Sequence, residues 1–113
     1  MLKRTFIHLP RVGPATELHL WRQSMHPGED LLAARRVNGL SPGRLAGHQR
    51  WLEKSLAPLD QPAYFSRRLP GAERWRLFDQ YRRRTAYLDI ETTGAGWPHL
   101  SVTVIGLYDG REF

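Results

Sequence analysis

Asp89 and Glu91 lie two residues apart in the string YLDIETTG, which spans residues 87–94. The β-forming residues around them predict a strand, and alternate residues of a strand point to the same face. Two neighbouring carboxylates repel each other unless a cation lies between them. Their hard oxygen atoms suit Mg²⁺ or Mn²⁺. The spacing therefore indicates a metal site, whereas a bare D-x-E pair alone is more often two acidic surface residues.

Small and hydroxylated residues follow the two carboxylates. Thr92, Thr93 and Gly94 leave the strand, and a glycine there lets the backbone approach a nucleotide closely. The β-forming residues predict strands over 85–90 and 101–108. Asp109-Gly110 is typical of a hairpin turn, so a third strand is expected to follow.

The string over residues 87–94 resembles the first exonuclease motif of the DEDD (DnaQ-like) exonucleases, which have the ribonuclease H-like fold. Together with TVIGLYDG over 103–110, it resembles the bacterial YprB-like ribonuclease H-like domain proteins. That resemblance implies an α/β fold that opens with two antiparallel strands. It also implies two divalent ions that activate water and stabilise the leaving oxygen at a nucleic-acid end, DNA or RNA. Asp89 would bind both ions and Glu91 one, and the backbone of Thr92 would contact the terminal nucleotide.

The resemblance covers only the opening of a catalytic domain. A DEDD site also needs two later Asp residues and a His or Tyr that orients the water, and only Asp109 follows Asp89 among the aspartates. We therefore expect a truncated or split gene product, or an excised fragment, of such an exonuclease, which binds metal weakly and has little activity alone. The missing remainder of the nuclease domain is an expected partner.

A second motif lies near the N-terminus, over residues 9–17 (LPRVGPATE). It resembles the hairpin of a helix-hairpin-helix module, in which amides at the start of the second helix face a phosphate. Gly13, Ala15 and Thr16 fit that helix start. Arg11 occupies a position where the pattern has glycine, and its side chain could add a phosphate contact. An ordinary helix start explains the same residues equally well.

Charge is unevenly distributed over the 113 residues, whose formal net charge is +6. Residues 1–84 contain 16 Lys or Arg and 7 Asp or Glu, a net charge of +9, and residues 85–113 have a net charge of −3. Nearly all the basic residues are Arg, which binds phosphate through a bidentate fork. This pattern favours a nucleic-acid partner, although Arg also accumulates from GC-rich coding sequence or on a solvated surface. The absence of Cys excludes disulfides and thiolate metal sites.

The elements that would position these residues are short. Periodicity and capping signals predict helices over 14–24, 30–36, 42–56, 61–69 and 72–83, with Ser41 as an N-cap. The fold class is therefore α+β, with an Arg-rich helical region at 1–84 and a β-hairpin at 85–113. Three tryptophans fall at helical core spacing and are expected to be buried: Trp21, Trp51 and Trp75.

Three functional hypotheses follow. The leading one is a metal-dependent nuclease of the ribonuclease H-like class, with 3′ to 5′ exonuclease activity. The alternatives are a non-catalytic nucleic-acid-binding module and a remnant whose hairpin docks on a separately encoded partner. No apolar run is long enough for a membrane span or a secretory signal, so we expect a cytoplasmic protein without a membrane partner.

Overall fold

The computed structural model describes residues 2–26, 28–94, 96 and 98–111. The chain forms two compact units, Met1–Gln80 and Tyr81–Phe113. The first unit is helical and the second contains a two-stranded antiparallel sheet, so the predicted α+β class is confirmed. The division falls four residues before the boundary that the sequence predicts.

Helices precede strands along the whole chain, with 3₁₀ turns at Leu2–Arg4, Gly71–Leu77 and Arg82–Arg84. The α-helices and strands are α1 (Pro14–Arg22), α2 (Gly28–Ala33), α3 (Pro42–Leu56), α4 (Pro62–Ser66), α5 (Phe78–Tyr81), β1 (Tyr87–Thr92) and β2 (Val102–Tyr108).

Helix α3 follows the sequence prediction from end to end. The Ser41 hydroxyl accepts a hydrogen bond from the Arg44 backbone N–H at 3.3 Å, as an N-cap should. Leu45, His48 and Leu52 are buried along one face. The helical spacing predicts one stripe of Leu45, His48, Leu52 and Leu56. Its first three members are buried, with Leu45 and Leu52 in the core, whereas Leu56 at the end of the helix is 44% exposed.

Helix α2 differs from its prediction, since it covers Gly28–Ala33 rather than 30–36. The Gln49 side-chain amide on α3 donates hydrogen bonds to three backbone carbonyls at the end of α2, those of Leu31, Leu32 and Ala34. These bonds satisfy carbonyl groups that another turn of helix would otherwise have used. A contact from a distant helix therefore sets the end of α2.

The predicted helix over 72–83 is wrong as one continuous α-helix. It divides into the 3₁₀ turn Gly71–Leu77, the short helix α5 and the 3₁₀ turn Arg82–Arg84. Arg76 is buried, and its Nε donates to Glu73 Oε2 at 2.6 Å. Residues three apart align in a 3₁₀ helix, so this pairing suits the tighter turn.

The core of the first unit gathers apolar side chains from the N-terminal loop and from α1, α2 and α3. They are Phe6, Leu9, Val12, Leu20, Leu31, Val37, Leu45 and Leu52. Two of the tryptophans expected in the core are instead largely exposed: Trp51 at 41% and Trp75 at 57%. Only Trp21 is partly buried against the core. Trp51 on α3 and Trp75 on the 3₁₀ turn Gly71–Leu77 lie on faces that these elements leave to solvent.

A buried ion pair links distant parts of the first unit. The Glu17 carboxylate is 1% exposed, and its Oε1 accepts the backbone N–H groups of Phe6 and Ile7 at 2.6 and 3.3 Å. Its Oε2 lies 2.8 Å from Arg76 Nη1, which also donates to the Thr5 hydroxyl at 3.0 Å. This network ties the N-terminal loop and α1 to the 3₁₀ turn that carries Arg76.

His8 is a second buried polar group of this unit. Its Nε2 lies 3.2 Å from the Ser55 hydroxyl, which itself donates to the Leu52 carbonyl at 2.7 Å. Burial lowers the pKa of His8 to about 4, and the nearby Arg68 adds to this effect while the Thr5 backbone opposes it. His8 is therefore neutral at pH 7.

Candidate functional site

Asp89 and Glu91 both lie on the first strand of the hairpin, as the sequence predicts. Strands β1 and β2 are antiparallel, with Tyr87 opposite Tyr108, Asp89 opposite Gly106 and Glu91 opposite Val104. β1 extends over 87–92 rather than the predicted 85–90, so both acids lie within it. Because alternate residues share a face, Asp89 and Glu91 point the same way. We call this surface the carboxylate face.

Gly106 leaves the space beside Asp89 open. A Cβ atom built at Gly106 would lie 3.7 Å from the Asp89 Cβ, an ordinary contact distance, so a larger side chain there would cover the carboxylate. The next pairing along the strands, Glu91 with Val104, is followed by a register shift between Glu91 and Thr92. A bulge of this kind increases the local twist and ends regular pairing.

The donor set suits a hard divalent cation but is small. Asp89 and Glu91 are both exposed. In the part of the chain that the structure describes, no three His, Cys, Asp or Glu residues come together as a metal-binding group. Mg²⁺ commonly keeps several waters and is held by one or two carboxylates together with substrate phosphates. The pair fits that mode, with the Asp89 and Glu91 carboxylates as the ligands.

The residues after Glu91 close the loop between the strands. The Thr93 backbone N–H donates to the Ser101 carbonyl at 3.0 Å, and the Thr93 hydroxyl accepts the Ser101 N–H at 3.3 Å. Thr92 is the last residue of β1, and Gly94 has a φ of +70°, a conformation that favours glycine. A nucleotide contact by these residues stays a prediction, and the Thr93 hydroxyl already has protein partners.

The N-terminal motif forms a tight turn followed by a helix. The Val12 N–H donates to the Leu9 carbonyl at 3.2 Å, and Arg11 between them has a φ of +62°. Glycine adopts that conformation at no steric cost, which explains why the resembling pattern has glycine at this position. The element before the turn is the 3₁₀ turn Leu2–Arg4 and not an α-helix.

The start of α1 offers free backbone donors. Gly13 is the N-cap residue with no side-chain cap, and Pro14 occupies the first turn. The first amide with a partner is that of Glu17, which donates to the Gly13 carbonyl at 2.9 Å. The backbone N–H groups of Ala15 and Thr16 have no hydrogen-bond partner among the described residues. The helix start therefore presents two donors, as the phosphate-binding hypothesis requires.

An aromatic pair that the sequence pattern did not predict lies on the carboxylate face. The rings of Tyr87 and Tyr108 face each other across the strands, with centroids 5.9 Å apart and planes inclined by 31°. Part of the signal was available, since both tyrosines lie within predicted strands, Tyr108 at the end of one and Tyr87 inside the other. The pairing became visible only once the register of the two strands was known.

In the described residues, no helix is both long and apolar enough to cross a membrane. The sequence was compared with family models, with curated proteins and with solved structures, and none of the three comparisons found a match.

Proposed function

We propose that this chain acts in metal-dependent hydrolysis of nucleic-acid phosphodiesters, as a nuclease of the ribonuclease H-like class with 3′ to 5′ exonuclease activity on DNA or RNA. One observation carries the proposal: Asp89 and Glu91 lie on the same face of an antiparallel hairpin, with the side chain of Asp89 left uncovered opposite Gly106. Neither acid forms an ion pair with a described residue, so both remain available to a cation.

The chain's own residues would hold and orient the metal. A bound Mg²⁺ or Mn²⁺ would supply Lewis-acid stabilisation of the phosphate oxygens. Asp89 and Glu91 would neutralise part of the ion's charge and fix its position on the carboxylate face. Two carboxylates are a small ligand set, so we expect weak metal binding and very slow turnover from these 113 residues alone.

The basic helical unit would bind the nucleic-acid backbone. The free amides of Ala15 and Thr16 face outward from the start of α1, and Arg11 lies exposed in the preceding turn. Amides at a helix start and an Arg side chain both suit phosphate oxygens. This contact would be independent of base sequence and sensitive to salt.

Metal binding tests the proposal directly. Mn²⁺ added to the ¹⁵N-labelled chain should broaden the backbone signals of residues 88–92 before any others, because paramagnetic relaxation falls steeply with distance. Asp89→Asn with Glu91→Gln should remove this broadening. Asp30→Asn, an exposed change on α2, is the matched control. Equal broadening in the double variant would refute the metal site.

Catalysis is tested on a 3′-labelled single-stranded oligonucleotide with Mn²⁺. We expect at most trace release of nucleotides from the 113 residues, and that trace should vanish in Asp89→Ala. Activity that persists in Asp89→Ala would show that another site or a contaminant performs the cleavage.

A second candidate is a non-catalytic nucleic-acid-binding module whose hairpin docks on a separate partner. It is favoured by the opposite face of the hairpin, where four exposed aliphatic side chains cluster: Leu88, Ile90, Ile105 and Leu107. Salt-sensitive binding of nucleic acid that survives Asp89→Ala, without Mn²⁺-dependent broadening, would support this candidate over the nuclease.

A further inference from the structure

A polar cleft opens at the outer end of the hairpin, within the second unit. Its volume is about 600 Å³. Its lining residues are Arg82, Arg83, Tyr87, Tyr108, Asp109, Gly110 and Arg111. Its described lining residues include three arginines and one aspartate and so carry net positive charge, although residues 85–113 as a whole are acidic. We call it the tyrosine–arginine cleft.

The tyrosines give the cleft a flat apolar wall. Tyr87 and Tyr108 pack on each other across the strands, and Tyr87 remains 46% exposed. An exposed ring held by a neighbouring ring offers a preformed surface for stacking, since little side-chain freedom remains to be lost. Any nucleobase can stack on such a surface, because every base has a π face.

Two of the arginines, Arg83 and Arg111, supply positive charge to the cleft. The guanidinium groups of Arg83 and Arg111 form no ion pair or hydrogen bond with a described residue. Asp109 is the only acid among the described residues of the lining, and its Oδ1 accepts the Arg111 backbone N–H at 2.9 Å. That bond shapes the turn that carries Arg111, so the aspartate helps to position the cation.

We propose that the tyrosine–arginine cleft binds one nucleotide of a single-stranded nucleic acid, with its base stacked on Tyr87 and Tyr108 and its phosphate held by Arg83 and Arg111. The combination of a stacking surface with cations is how proteins bind single strands without sequence preference. An acidic peptide would use the arginines but would leave the tyrosine pair without a role.

The cleft extends the carboxylate face. Tyr87 lies two residues before Asp89 on the same face, a separation of about 7 Å from the rise of a strand. That is close to the phosphate spacing of an extended single strand, so a nucleotide in the cleft places its neighbour beside Asp89. The inference rests on the proposed function for the nature of the ligand, but it does not depend on metal binding.

The test is binding of fluorescein-labelled hexathymidylate to the full chain in EDTA, followed by fluorescence anisotropy. Tyr87→Leu should weaken binding by about fivefold or more, the lower end of what one stacked base contributes. Arg83→Gln with Arg111→Gln should weaken it by about tenfold or more. Leu88→Ala, on the opposite face of β1, and Arg36→Gln, an exposed charge change in the helical unit, should stay within about twofold.

Two further measurements distinguish loss of base stacking from misfolding of Tyr87→Leu. Tyr87→Phe keeps the ring and should bind as the unchanged protein does. A hexamer with abasic sites should bind the unchanged protein at least about fivefold more weakly than hexathymidylate. Equal binding of the abasic hexamer, or equal competition by a hexaglutamate peptide, would overturn base recognition. An effect of Arg36→Gln as large as that of Arg83→Gln would show diffuse charge attraction and would also overturn the proposal.

The design separates this inference from the proposed function. Asp89→Asn should bind hexathymidylate normally in EDTA. If the unchanged chain binds hexathymidylate through the cleft but shows no Mn²⁺ broadening at residues 88–92, the nuclease is refuted and the cleft is supported. Mn²⁺ binding at β1 without selective loss in the cleft variants would refute the cleft alone.

Discussion

The two units of the chain differ in how far their apolar side chains are buried. In the helical unit, Phe6 and Leu20 are completely buried, whereas Leu88 and Ile105 of the hairpin are 62% and 65% exposed. The hairpin strands are as apolar as the buried helices, but two strands cannot cover either face of their own sheet. Composition therefore sets how much apolar surface a segment carries. Topology decides whether a neighbouring element covers that surface.

Polar groups differ between the units in the same way. The helical unit buries an ion pair, Glu17 with Arg76, and a neutral His8. The second unit keeps Asp89, Glu91, Arg83 and Arg111 at the surface, where they are open to ligands. Charges in the first unit are therefore expected to govern stability, and charges in the second to govern binding.

The largest expected effect comes from breaking the buried pair. Arg76→Leu leaves the Glu17 carboxylate buried without its cation and should lower the free energy of unfolding by about 3–5 kcal/mol. Urea unfolding followed by tryptophan fluorescence measures this loss. Arg74→Leu, an exposed arginine in the same 3₁₀ turn, should change stability by less than about 0.5 kcal/mol. A similar loss of unfolding free energy in Arg76→Leu and Arg74→Leu would contradict the stabilising role of the buried ion pair.

Acidification should also destabilise the helical unit selectively. The pKa of His8 is lowered from 6.5 to about 4 in the folded state, so the unfolded state takes up a proton first as the pH falls. The stabilisation is complete above pH 6.5 and declines between pH 6.5 and pH 4, by about 3 kcal/mol in total.

Unfolding titrations at several pH values test this prediction. His8→Gln should flatten the decline, and His26→Gln, an exposed change, should not. A smaller slope should remain in His8→Gln because burial and Arg44 also lower the pKa of His48. An unchanged slope in His8→Gln would contradict the assignment.

Substitutions of Arg11 should affect stability and nucleic-acid binding differently. Arg11→Gly should raise the free energy of unfolding by about 0.5–1 kcal/mol, because glycine relieves the left-handed backbone at φ +62° while losing more chain entropy. The same variant should bind duplex DNA more weakly if Arg11 contacts phosphate. Arg11→Ala removes the side chain but keeps the strain, so it should weaken binding without the gain in stability.

The smallest expected effect lies on the exposed hairpin face. Ile105→Thr should change the free energy of unfolding by less than about 0.5 kcal/mol, since the side chain is already open to solvent. Leu45→Ala in the core of α3 should cost about 2–5 kcal/mol by comparison. A loss of more than about 2 kcal/mol in Ile105→Thr would show that another surface covers this face.

Much of the fold was predictable where local signals decide it. Ser41 and Pro42 set the start of α3, and β-branched residues with Asp109-Gly110 indicate the second strand. The shared face of Asp89 and Glu91 follows from strand alternation alone. The division of the helix predicted over 72–83 did not follow, because Arg76 is drawn inward by Glu17, which lies far away in the sequence.

By itself, the sequence determined the order of helices before strands, the helix stripe on α3 and the presence of two acids on one strand face. These features depend on contacts within a few residues. Only the tertiary structure decided where α2 ends, which tryptophans stay exposed, and that Tyr87 meets Tyr108 in one cleft with arginines. Those features depend on contacts between residues that are distant in the sequence. Strand register and packing fix these contacts, and a local sequence pattern does not predict either.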